Sequence, residues 1–310
     1  TGNHCIGVGW QSLHRNTTGN ANVAIGSHCL DHNIDGSANV GVGTHVLSAN
    51  TSGIGNTAVG QQPMLYNTTG QYNSAYGWTA LQDNTTGSYN IALGGGSLAN
   101  NTTASSNVAV GHQALTTNTQ GAQNVAVGHQ ALEKNTTSYN NTAVGYLSLK
   151  EQTTGTANTA VGAYSLDANT TGDNNTAIGT VALSANTTGD GNTATGKDSL
   201  AANTEGNNNT AIGHDALTAN TTAHVNTAVG YNSLKANTTG SQNVAVGAYT
   251  METQTTTWDC TGLGYQALQG NYGNDNTAVG KAALKTNQNG GSNVAVGKAA
   301  LEDNTSGSNN

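Results

Sequence analysis

The chain has 310 residues with no Phe, one Pro, 42 Gly and 8% charged residues, a composition that excludes an ordinary globular interior because few large apolar side chains remain to build one. Eight Lys and Arg against sixteen Asp and Glu give a net charge of −8, which excludes the cationic footprint of a nucleic-acid binder. No stretch is apolar for long enough to span a membrane, and the first residues carry no secretory pattern of positive charge followed by apolar residues.

Glycine recurs at 9, 26, 43, 60, 77, 94, 111, 128, 145, 162, 179, 196, 213, 230, 247, 264, 280 and 297, so sixteen of the seventeen gaps are 17 residues and the step from Gly264 to Gly280 is 16. A fixed period along the whole chain marks a repeat architecture. The phrase is clearest from Asn226 to Gly240, Asn-Thr-Ala-Val-Gly-Tyr-Asn-Ser-Leu-Lys-Ala-Asn-Thr-Thr-Gly, and eighteen copies fill residues 1–310 as one uncapped repeat domain.

Each copy reads in chain order. Four residues before the anchor glycine stands Asn in sixteen copies, among them Asn56, Asn107, Asn124 and Asn226, with Cys5 and Cys260 as the substitutes. Thr, Val or Ile follows in all copies but one, which has Ser74, then Ala in fifteen copies and Gly in three (Gly7, Gly41, Gly262), then mostly Val, Ile or Leu. Such residues predict a short strand, and a slot restricted to Ala and Gly predicts a close packing partner. Four residues after the anchor comes Leu in sixteen copies, including Leu81, Leu115, Leu132, Leu183, Leu217 and Leu234, with Met64 and Met251 in the other two; only a buried apolar slot varies so little. Seven after the anchor Asn returns in sixteen copies, including Asn67, Asn84, Asn186 and Asn237, with Gln152 and Gln254 as the substitutes. Amide replaced by amide predicts a retained hydrogen bond, and amides about 4.8 Å apart in successive coils bond as ladders. The closing Asn-Thr-Thr-Gly is turn chemistry, with Gly available for a positive φ.

Seventeen residues are too few for a strand plus a helix and predict two short strands and two turns. The expected fold is therefore all-β, a parallel β-solenoid or β-roll of about eighteen coils, on the order of 85 Å long at about 4.8 Å per coil. Along the strand Ala and Gly face one way and Thr or Val with Val or Ile the other. Neither face reads as solvated, so one is expected to pack inside the coil and the other against another chain. The sequence starts within a turn at Thr1-Gly2 and ends on Asn310 with no divergent cap. Open strand edges predict either a piece of a longer shaft or end-to-end stacking into a filament.

The phrases Asn-Thr-Ala-Val-Gly-Tyr-Asn-Ser-Leu and Asn-Thr-Thr-Gly between Asn226 and Gly240, and Gly264-Tyr265-Gln266-Ala267-Leu268, resemble the repeats of bacterial and phage tail-fibre-domain proteins and, more distantly, the heads of trimeric autotransporter adhesins. The resemblance covers essentially the whole chain. It implies a trimeric, left-handed parallel β-roll that is extracellular, on a cell surface or on a virion. The chain departs from those families in lacking an obvious membrane anchor, a coiled-coil stalk and a C-terminal chaperone domain.

Other motifs reduce to the repeat. Gly7-Val8-Gly9 and Gly262-Leu263-Gly264 imitate phosphate loops, but no helix follows. His4, His14, His28, His32 and His45 form a cluster, and His112 and His129 lie one coil apart; all are read as surface histidines rather than metal ligands, and no cofactor is predicted. His214-Asp215 lacks a neighbouring Ser or Cys nucleophile, so no catalytic residue is assigned. Cys29 reads as a buried thiol. Cys5 and Cys260 read as free thiols, or as partners in an intermolecular disulfide between staggered chains. Sequons at Asn16, Asn67, Asn84, Asn101, Asn169, Asn186, Asn220 and Asn237 are candidate glycosylation sites, although the turn explains them without modification. Trp10, Trp78, Tyr146, Tyr231 and Tyr265 follow the anchor directly and are candidates for stacking on sugars.

The sequence thus predicts a non-enzymatic structural protein, an extracellular fibre or filament shaft whose partner is itself, as a homotrimer, an end-to-end filament or both. An adhesin or phage-fibre shaft that binds surface glycans through turn aromatics is the alternative. Ice binding is a third reading, motivated by Thr after the second Asn in fifteen of eighteen copies.

Overall fold

The computed structural model describes residues 2–310, and Thr1, half of the Thr1-Gly2 turn, lies outside the described residues. The chain is a parallel β-solenoid with one short strand per 17-residue coil, and its residues group into two compact units, Thr1–Thr156 and Ala157–Asn310. In the first unit the strands are β1 Ile6–Val8, β2 Val23–Ile25, β3 Val40–Thr44, β4 Thr57–Gln61, β5 Ser74–Tyr76, β6 Ile91–Leu93, β7 Val108–Val110, β8 Val125–Val127 and β9 Thr142–Val144. The second unit holds β10 Thr159–Val161, β11 Thr176–Ile178, β12 Thr193–Thr195, β13 Thr210–Ile212, β14 Thr227–Val229, β15 Val244–Val246, β16 Thr261–Leu263, β17 Thr277–Val279 and β18 Val294–Val296. Within each unit every strand pairs in parallel with the next, like residue over like residue, as in Thr176 over Thr193 and Ala177 over Ala194. No helix occurs among the described residues, and so none is long and apolar enough to cross a membrane.

The period of two along a strand sorts the side chains as the sequence predicts. Ala58, Ala109, Ala177 and Ala228 are fully buried, whereas the flanking Thr, Val and Ile point outward. Opposite the strand, Leu81, Leu115, Leu132, Leu183, Leu217 and Leu234 fill the interior with no exposed surface, and Met64 and Met251 take the same place.

The expected second strand is absent. On that side the residues two and four after each anchor are left-handed, as at Thr79 with φ 51° and Leu81 with φ 53°. Left-handed residues alternate with their neighbours, so the backbone N–H groups still reach adjacent coils: Thr79 donates to Gln61 O at 3.0 Å and Leu81 to Ser97 O at 2.9 Å. A buried Leu at positive φ is strained in isolation, and here its side-chain burial and its coil-to-coil bond hold it.

The glycines divide differently from the sequence expectation. The anchors take φ between 125° and 141°, where a Cβ on Gly60 would stand 2.6 Å from Gly77 O. The Gly that ends Asn-Thr-Thr-Gly keeps a negative φ. It is small because a Cβ on Gly70 would press within 2.4 Å of Asn67 Oδ1 and Gly87 O. The 16-residue coil keeps its contacts by a local adjustment: Asn271 Nδ2 reaches Gly273 O, two residues on, at 2.7 Å, and Asn287 Nδ2 still meets Asn271 Oδ1 at 2.7 Å.

Candidate functional site

Two columns of buried amides run through each unit. In the first, the backbone N–H of an Asn donates to the Oδ1 of its counterpart one coil earlier wherever that counterpart is also Asn, while its own Nδ2 donates to a turn carbonyl one coil later. Asn56 does so with Asn39 at 3.0 Å and Gly70 O at 2.9 Å, and Asn107 with Asn90 at 3.0 Å and Gly121 O at 2.8 Å. Asn124 meets Asn107 at 2.9 Å and Ser138 O at 2.8 Å, and Asn226 meets Asn209 at 3.0 Å and Gly240 O at 2.8 Å. The second column joins amide to amide: Asn67 Nδ2 to Asn50 Oδ1 at 2.8 Å, Asn84 to Asn67 at 2.7 Å, Asn186 to Asn169 at 2.8 Å and Asn237 to Asn220 at 3.2 Å. Gly240 O accepts from both Asn226 and Asn237 Nδ2, so one carbonyl links the two columns.

The glutamine substitutes behave differently from each other. Gln152 Nε2 still donates to Gly155 O, but Gln254 Nε2 and the Asn237 Oδ1 of the preceding coil are buried without partners.

This geometry bears on two alternatives that the sequence left open. Asn67, Asn84, Asn101, Asn169, Asn186, Asn220 and Asn237 have no exposed surface, and their Nδ2 atoms are spent inside the columns, so the folded chain offers none of them to a glycosyl donor. Asn16 is half-buried, with its Nδ2 donating to Gly19 O at 3.0 Å. The disulfide between Cys5 and Cys260 fails on access. Cys260 has no exposed surface and takes the place of a column Asn, donating from Sγ to Gly273 O at 3.4 Å, and burial raises its pKa. Cys5 is half-buried and turns its thiol to Gly19 O. Cys29 is fully buried, and burial pushes its thiol up to about 12, with a smaller opposing pull from the Ile25 backbone.

The threonine row that motivated ice binding is not a free hydroxyl array. Thr68, Thr85, Thr187 and Thr204 each donate Oγ1 to the backbone carbonyl one coil on.

The exposed turns carry the remaining chemistry. Trp10 and Trp78 stand free, 70% and 61% exposed. In the first unit His112, His129 and Tyr146 stack with ring centres 5.5 and 5.4 Å apart. In the second unit His214, Tyr231, Tyr249 and Tyr265 follow one another at 5.3 to 5.8 Å, and Lys281 Nζ lies 5.7 Å from the Tyr265 ring. Asp198, His214 and Asp215 bring donor atoms within 4.8 Å of one another. Lys197 and Lys235 already neutralise both carboxylates, at 2.9 and 3.1 Å, so a cation there would first have to displace two ammonium groups. At the other cluster, His14, His28 and His32 converge on the carboxylate of Asp31, while His28 and His45 bring their rings to 4.7 Å. The repeat carried a signal for this grouping, since His14 and Asp31 share one position in successive copies, as do His28 and His45.

No protein-family model matches the chain, and no curated protein matches it.

Proposed function

We propose that the chain is a non-enzymatic structural protein, a shaft segment of an extracellular fibre that works through stiffness and resistance to proteolysis, as the tail-fibre resemblance implies. The observation that carries this reading is the pair of buried amide columns, in which each coil satisfies its polar groups on its neighbours, so that opening one coil breaks bonds in two others.

The outward strand face supports association with further copies. Its two positions hold Thr, Ser, Val, Ile, Leu or Tyr and no charged residue in any coil, and Ile25, Ile178 and Ile212 stand about two-fifths exposed on it. Sedimentation velocity across a concentration series, followed by electron microscopy, tests the reading. A trimer or fibres with an axial layer line near about 4.8 Å are expected. A monomer at every concentration would reject the shaft.

The stack from His214 to Lys281 favours a second reading, an adhesin surface for glycans, since half-exposed rings beside polar side chains suit sugar faces. Retention on a glycan array that is lost in Tyr231→Ala and Tyr265→Ala is expected from it, and no retention by the parent chain would reject it.

A further inference from the structure

In the second unit three phenols from successive coils meet on the turn face. Tyr231 and Tyr249 have ring centres 5.3 Å apart with planes at 82°, and Tyr249 and Tyr265 stand 5.8 Å apart at 80°. Edge-to-face packing of this kind sets the rim of one ring against the face of the next. The backbones beneath are tied together, since Tyr249 N donates to Tyr231 O at 2.9 Å. The rings above them reach solvent: Tyr231 and Tyr265 are 46% and 45% exposed, and Tyr249 is half-buried. The pKa of the Tyr249 phenol is raised, by desolvation first and then by Tyr231 and Tyr265, so the hydroxyl ends lie close enough to feel one another's charge. Sulfur, which oxidants attack readily, is withheld from the surface of this unit. Met251 and Cys260 are its only sulfur residues and both are fully buried, so an oxidant arriving from solvent reaches the exposed rings before any sulfur.

We propose that Tyr231 and Tyr249 form a modification site, at which a one-electron oxidant of the haem-peroxidase class, acting with hydrogen peroxide, joins two successive coils through a dityrosine bond. Each phenol gives one electron to the oxidant and its hydroxyl proton to water, leaving two tyrosyl radicals. A carbon–carbon bond forms between the ring carbons adjacent to the two hydroxyl-bearing carbons. The hydrogen on each newly bonded carbon passes through water to its own ring oxygen and restores both phenols. The pair has then lost two electrons and two protons, which reduce one hydrogen peroxide to two waters. Exposed side chains turn on the picosecond to nanosecond scale, so the rings swing from edge-to-face contact into bonding reach while the coil-to-coil bond keeps their Cα atoms in place. A partner tethered in this way is present at a millimolar effective concentration or above, about a thousandfold over a second chain at micromolar concentration.

Treatment of the whole chain with peroxidase and hydrogen peroxide, followed by trypsin and mass spectrometry, tests this. Trypsin cuts after Lys197, Lys235 and Lys281, so a bond between Tyr231 and Tyr249 joins peptide 198–235, whose only tyrosine is Tyr231, to peptide 236–281. The expected product is that linked pair, two hydrogens lighter than its parts, recovered from chains that still run as monomers in a denaturing gel. Fragmentation should place the bond on Tyr249 and not on Tyr272, which is 53% exposed but has no ring neighbour among the described residues. Tyr249→Phe keeps the ring packing and should lower the yield of the linked pair at least about tenfold, whereas Tyr72→Phe should leave it unchanged. The proposal is overturned if the pair does not form, if it occurs only in covalent dimers of the chain, if the bond maps to Tyr272, or if its yield is the same in Tyr249→Phe.

Discussion

Two glutamines of equal length fare differently in the second amide column. Asn237 Oδ1 and Gln254 Nε2, in successive coils, are both buried without a partner, whereas Gln152 still donates to Gly155 O. Gln254→Asn should restore both bonds and raise stability by about 1 to 3 kcal/mol, read as an increased midpoint in urea with an unchanged slope. Cys29 gives a proton-linked counterpart. Its thiol is raised from 9.0 unfolded to about 12 in the folded chain, so the fold favours the neutral form. That contribution is complete below pH 9 and is lost as pH rises toward 12, amounting to about 4 kcal/mol over the window. Cys29→Ala should flatten this part of the stability profile relative to the parent chain, and Ala already occupies the position in other coils, as at Ala80 and Ala114.

Strand and turn side differ in how far their residues announced them. The strand was legible because Ala between β-branched residues admits one arrangement, and so was the core, because Leu yields only to Met. The turn side was misread as a second strand, since residue identity there varies and the left-handed backbone leaves no mark when Gln, His, Tyr and Asp all adopt it. The turn ahead of the strand has a left-handed site too, five residues before the anchor, and Val225 shows its cost: it is β-branched, left-handed at φ 59° and 54% exposed. Val225→Asn, the residue used at the same position in Asn140, Asn174 and Asn208, should stabilise by about 1 kcal/mol in thermal denaturation. The small slot of the strand also tracks its partner. A Cβ on Gly41 would meet Cys29 Sγ at 2.5 Å and Val46 Cγ1 at 3.2 Å, and one on Gly262 would meet the Thr250 methyl at 2.8 Å. At these two positions Gly replaces Ala because the facing residue is bulky, whereas a Cβ on Gly7 would meet its nearest atom, Ser12 Oγ, at 3.4 Å. Gly41→Ala should destabilise by about 1 to 3 kcal/mol, and adding Cys29→Ala should recover most of it in a double-mutant cycle.

Across the molecule the amide columns, the core Leu and the small slot were all readable from the period alone, because a residue repeated every 17 positions must meet itself. The Asp31 cluster was readable only in part: the period places His14 beside Asp31, but it does not report that the carboxylate is buried. Since most bonds join a coil to the next or lie within one coil, stability should sum over coils and interfaces. Deleting residues 68–84, one full period, should leave a chain that folds with the same circular dichroism per residue. Deleting four residues more should not, because every later donor would face the wrong acceptor. The coil between Gly264 and Gly280 marks the tolerance: one residue is missing, and Asn271 makes good the loss within its own turn. Length is thereby a heritable quantity in this protein. Unequal recombination between copies shortens or extends it in whole coils, each product is immediately foldable, and selection can adjust reach without having to reinvent an interior.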